Sequence, residues 1–70
     1  MKIKQQAHKS FGAWMKAKRI EQGLSQYELA KRTYCHGNSI GRWEREEGCP
    51  TLDQAETIAE VLGARLVLEE

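Results

Sequence analysis

Apolar positions along the chain recur with helical spacing and fall into four runs separated by turn residues. In the first, FGAWMKAKRIEQ, Phe11, Trp14 and Met15 stand at i, i+3 and i+4, an apolar stripe with Ser10 before it as N-cap and Gly23 after it as a stop. Leu24 leads into Ser25, whose hydroxyl suits the orphan amides of a new helix. Glu28, three residues on, completes a capping box for QYELAKRT, with Leu29 and Ala30 as the inward positions. After a tight connection at Tyr34 to His36, a third helix is predicted from about Gly37 to Arg45, with Ile40 and Trp43 spaced by three. EEGCP interrupts the pattern at residues 46–50. Thr51 and Gln54 then form a second capping box, and Leu52, Ala55, Ile58, Ala59 and Leu62 line one face of a fourth helix that Gly63 stops. The remaining ARLVLEE has no cap residue and is rich in strand formers, which predicts an extended segment. Trp14, Met15, Leu24, Leu29, Ala30, Cys35, Ile40, Trp43, Leu52, Ile58 and Leu62 form the expected core.

Two glycines sit awkwardly in the third run, since glycine inside a helix costs roughly 1 kcal/mol relative to alanine. Gly37 opens that helix, where a missing side chain costs little and lets backbone approach another surface. Gly41 lies mid-helix and is expected on an exposed side, beside Arg42.

Composition narrows the class. Seventy residues allow one domain with a small core, and 40% hydrophobic against 30% charged residues with a single proline suits a helix-rich globule. Its expected divisions are a basic N-terminal arm over 1–9, a helical domain over 10–63 and an extended segment over 64–70. No apolar run approaches the roughly 18 residues of a membrane span. MKIKQQAHKS is basic but lacks the apolar stretch of a signal peptide, so a cytoplasmic protein is expected. Cys35, Cys49, His8 and His36 lack the spacing of a zinc site, a disulfide is not expected in a reducing compartment, and Cys35 reads as a small apolar residue. Neither paired carboxylates, nor a Ser/His/Asp set, nor a phosphate-cradling glycine loop is present; no enzyme, cofactor, metal or small-molecule ligand is expected. The net charge of +1 conceals an asymmetry: the chain through Arg19 carries six basic residues and no acid, leaving 5 − 10 = −5 for the remainder. A basic end of this kind, with Lys2, Lys4 and Lys9, suits a phosphate-tracking arm as well as a solvated tail.

The second and third runs, two short helices joined by about three residues, suggest a helix-turn-helix. With them, FGAWMKAKRIEQGLSQYELAKRTYCHGNSIGRWE, Pro50 and LDQAETIAEVLG resemble the XRE family, the phage Cro/repressor class of helix-turn-helix DNA-binding domains. The similarity spans residues 10–63 without a gap through Pro50. It is carried by the Arg19 position, the LSQYELA block at 24–30, Ile40 and the Trp43–Glu44 pair. It implies an all-α fold, a small four- to five-helix repressor-like bundle containing a helix-turn-helix, here with a short C-terminal strand. It also implies that the third helix enters the major groove of double-stranded DNA. The DNA-facing set would be Ser25, Gln26, His36, Gly37, Asn38, Ser39, Gly41, Arg42 and Arg45, with Arg19 and Glu44 as a structural ion pair bridging the first and third helices.

Side-chain chemistry supports two members independently. Asn pairs bidentately with adenine and Arg with guanine, and Asn38 and Arg42 lie four apart on one helix face. Structural alternatives stand beside these roles. Asn38 would cap the helix if it started late, because His36 is a weak cap; Arg42 would pair with Glu46; Gln26 would be an ordinary first-turn residue; Arg45 would only complement the helix dipole.

Three departures from the family pattern stand out. Tyr34 occupies a position where relatives commonly have a turn glycine with positive φ; Glu46 and Glu47 make acidic a loop that is often basic; and the chain ends in LVL where relatives often have a fifth helix. Leu66, Val67 and Leu68 are expected to pair with their counterparts from a second subunit, because an isolated apolar strand edge is a liability. The sequence therefore points to a sequence-specific transcriptional regulator, a repressor acting as a homodimer on a pseudo-palindromic operator. The alternatives are an antitoxin that binds a toxin partner and autoregulates its operon, and a protein-interaction module that has lost DNA binding.

Overall fold

The computed structural model describes residues 2–3, 11–64 and 67–68, in the order β1 (Lys2–Ile3), α1 (Phe11–Glu21), α2 (Gln26–Thr33), α3 (Gly37–Glu44), α4 (Leu52–Val61) and β2 (Val67–Leu68). The expectations placed on Ser10, on residues 4–9 of the arm and on Leu66 lie outside these residues. Both capping boxes form. The Ser25 and Thr51 hydroxyls accept from the amides of Glu28 and Gln54, whose side chains accept in return from the Ser25 and Thr51 amides.

All four helices close in the same way. One residue turns into the left-handed region, Gly23 (φ 73°), Tyr34 (φ 60°), Glu46 (φ 63°) and Gly63 (φ 80°) in turn. The next amide reaches back five residues, Leu24 to Arg19, Cys35 to Ala30, Glu47 to Arg42 and Ala64 to Ala59. Glycine fits this conformation without a clash; tyrosine and glutamate do not.

The helices pack around four fully buried side chains, Met15, Leu29, Ile40 and Ile58, one from each helix. Leu24, Ala30, Trp43 and Leu62 complete the cluster, with Phe11, Trp14 and Cys35 half-buried against it. Leu52, expected in the core, is 55% exposed, because at the first position of α4 it overhangs the edge of the cluster. Gly12 was not among the residues singled out in the sequence, yet a Cβ there would overlap the carbonyl oxygen of Trp43. Consequently α1 and α3 meet backbone to backbone. Gln22 Nε2 ties the end of α1 to the Leu62 carbonyl at 2.7 Å.

The chain ends pair with each other. β1 and β2 run parallel, with Lys2 opposite Val67 and Ile3 opposite Leu68. Val67 and Leu68, expected to pair with a second subunit, here pair with the start of the same chain. An intramolecular strand is always at hand and loses no translational freedom on docking.

Candidate nucleic-acid interface

Geometry at the open side of α3 is set from behind by one ion pair. Arg19, in the last turns of α1, donates from Nε and Nη2 to the two carboxylate oxygens of Glu44 at 2.7 and 3.0 Å, and from Nη1 to the Leu24 carbonyl at 2.8 Å. The two side chains are 11% and 3% exposed, so the pair is shielded and its geometry is bidentate. Removing one partner would strand a part-buried charge, at a loss below the roughly 3–5 kcal/mol of a fully buried pair. The expected bridge between the first and third helices is present.

Gln26, the first residue of α2, extends this network outward. Its Nε2 donates to Glu44 Oε1 at 3.0 Å, so it is held across α3 and is not merely a first-turn residue. Ser25 is engaged as the cap of α2, its hydroxyl oxygen accepting from the Glu28 amide at 3.0 Å. The Ser25 hydrogen bonds hold the Glu28 carboxyl below the usual carboxylate range, first through the backbone amide and then the hydroxyl.

His36 is the N-cap of α3, without a side-chain capping bond. Asn38 is therefore the second residue of the helix and not its cap. Its side chain is exposed, as is that of Arg42 one turn later, and nothing lies within 4 Å of where a Cβ would project from Gly37. Arg42 does not pair with Glu46; its Nη2 donates to the Glu47 carbonyl at 3.2 Å. Arg45 pairs with the Glu47 carboxylate, Nε to Oε2 at 3.0 Å and Nη2 to Oε1 at 3.2 Å. This raises the Arg45 pKa, and holds Glu47 below the usual carboxylate range, first through the hydrogen bond and then through charge. The side chains of Arg45 and Glu47 are 60% and 52% exposed, open enough for solvent to screen them and for another anion to take the guanidinium.

Gln26, Gly37, Asn38, Gly41, Arg42 and Arg45 converge with Glu47 on one open hollow of about 290 Å³. Six of the nine expected contact residues thus share one surface, while Ser25, His36 and Ser39 do not line it. Gly41 is not on an exposed side as expected: it is buried, beneath the Gln26 amide and the Arg45 guanidinium. Glu47 is the site residue that the sequence did not supply as a partner. Its place depends on the left-handed turn at Glu46, which folds the chain back over the end of α3, and no periodicity signals such a turn. Among the described residues no cluster of His, Cys, Asp or Glu suits a metal ion, and Cys35 and Cys49 are free thiols. No described helix is long and apolar enough to cross a membrane.

The family model described as helix-turn-helix matches residues 15–68. No curated protein and no solved structure matches the chain.

Proposed function

Because the chain belongs to the XRE family of helix-turn-helix domains, DNA-binding regulators and not a family of enzymes, we propose that it is a transcriptional repressor that reads a pseudo-palindromic operator as a homodimer. The observation that carries this reading is the convergence of Gln26 from α2 with Gly37, Asn38 and Arg42 from α3 on one open face. A major groove admits a helix, and its base edges match the residue types exposed here: Asn38 for adenine N6 and N7, Arg42 for guanine O6 and N7. Gly37 leaves the leading end of α3 without a side chain to hold it off the bases.

The small number of readers supports dimerisation. A recognition helix reaches bases with three or four side chains. Each mismatched pair costs only about 1–3 kcal/mol, against a very large number of competing sites, so one half-site discriminates poorly. Two copies on a symmetric site double the discrimination. A second reading, a protein-interaction module on the same fold, draws on the Arg45–Glu47 pair, which occupies a cation that DNA would otherwise use.

In vitro selection from random duplexes at low salt tests these readings. The expected motif is an inverted repeat with half-site centres about one helical turn, roughly 34 Å, apart. In the Arg42→Ala variant one base pair per half-site should lose about 1–3 kcal/mol of preference. Recovery of no enriched motif would favour the interaction module, a single unrepeated half-site would reject the dimer, and an unchanged motif with Arg42→Ala would remove Arg42 from the readers.

A further inference from the structure

Gly41 is a glycine in a helix interior whose missing side chain is replaced by polar groups from elsewhere. A Cβ there would lie 3.2 Å from Gln26 Oε1, 3.5 Å from Gln26 Nε2 and 3.2 Å from Arg45 Nη1. The first two distances place the whole Gln26 amide over this one residue of α3. A contact of 3.2 Å is tighter than a Cβ normally makes, so a methyl group at position 41 would push the carbonyl end of the amide outward by a few tenths of an ångström.

The orientation of that amide is chemically determined. Glu44 is a carboxylate and only accepts, so the end of the Gln26 side chain that faces it must be Nε2, as the 3.0 Å contact has it. Glu44 cannot turn to follow Gln26, because Arg19 holds both of its oxygens in a pair only 3% exposed on the Glu44 side. Gln26 is therefore anchored to a rigid point. An amide has two N–H groups and one carbonyl; with one N–H given to Glu44, one donor and one acceptor remain. That is the pattern complementary to adenine in the major groove, whose N7 accepts and whose N6 donates. Guanine presents two acceptors, O6 and N7, and would meet the fixed carbonyl with one of them.

We propose that Gly41 and Glu44 are positioning residues for Gln26, and that the amide they hold selects adenine over guanine at the base pair it meets. The adenine assignment rests on the DNA-binding reading above; the positioning of the amide does not. Fixing the side chain in the free protein removes the ordering loss that a mobile glutamine would incur on binding.

The test uses the full chain with labelled glutamine side-chain nitrogens, together with selection from random duplexes. In the wild type the two Gln26 Nε2 protons should be displaced from the chemical shifts of a free glutamine and slower to exchange than those of one. In Gly41→Ala, with its melting temperature equal or higher, they should move toward the values of a free surface glutamine. The adenine-to-guanine preference at one position per half-site should then fall about tenfold. In a Gln26→Ala background, Gly41→Ala should leave that ratio unchanged. Displacement of Arg45 by the same methyl would alter overall affinity and not the ratio. A wild-type Gln26 amide that exchanges like an exposed one, or a ratio that falls equally in both backgrounds, would overturn the positioning role. A fixed amide in a protein that binds no duplex would instead overturn the DNA-binding reading and the adenine assignment with it.

Discussion

Tyr34 ends α2 at φ 60° and the residue is 93% exposed, so the left-handed turn gains nothing from packing of the ring. A non-glycine residue in this region is strained by about 1–2 kcal/mol. The Tyr34→Gly variant relieves that strain but makes the unfolded chain more flexible, which takes back part of the gain. A net stabilisation of about 0.5–1 kcal/mol is expected, read from chemical denaturation midpoints. Gly41 teaches the opposite lesson at the same scale. From the sequence it is a helix-weakening residue on an exposed side; in the fold it is the seat of a side chain fifteen positions earlier.

At the scale of elements, the approach of α1 to α3 rests on Gly12. Alanine at position 12 would improve helix propensity by about 1 kcal/mol, but its methyl would meet the backbone of Trp43, which cannot swing aside as a side chain can. The two helices would have to part, straining the Arg19–Glu44 pair between them. Gly12→Ala is therefore expected to lose about 1–3 kcal/mol of stability in thermal or urea unfolding.

The capping box of α2 makes a second prediction. The Glu28 carboxyl titrates below its ordinary value because it is hydrogen-bonded to Ser25. A depressed carboxylate pKa contributes stability that is present above the unfolded pKa and lost as pH falls through the folded one. Wild type should accordingly exceed Glu28→Gln in melting temperature at pH 7, and the difference should vanish in strong acid. A difference that persists there would mean that the carboxylate charge is not what supports the cap.

Across the whole molecule, charge is divided: six basic residues through Arg19, and an acidic remainder that includes Glu47 at the candidate interface. For Arg45 to reach a phosphate it must leave the Glu47 carboxylate, which then takes up a cation, cancelling the counterion that DNA releases. Glu47→Gln should raise affinity for DNA of any sequence and steepen the dependence of log affinity on log salt by about one unit. Filter binding at several salt concentrations measures both. An unchanged slope would mean that Arg45 makes no phosphate contact.

Local features were legible in the sequence because local rules govern them. Helices α1 to α4 follow from apolar spacing and from the Ser25–Glu28 and Thr51–Gln54 boxes, and the predicted helix ends fall within one residue of those observed. The similarity in motif order identified Arg19 and Glu44 as partners 25 residues apart, which spacing alone does not do. Tertiary structure decided what depends on distant backbone. It brought Gly12 against Trp43, covered Gly41 with Gln26, put Glu47 onto Arg45 and left Leu52 outside the core. It also joined Val67–Leu68 to Lys2–Ile3, across almost the whole chain. A sequence specifies which side chains each turn of helix presents, through torsional and hydrogen-bonding preferences within a few residues. Which of them touch is settled only when the helices close on a common core, because the packed volume can be filled in one way and the polar groups at its edge take whatever partners that packing leaves within reach.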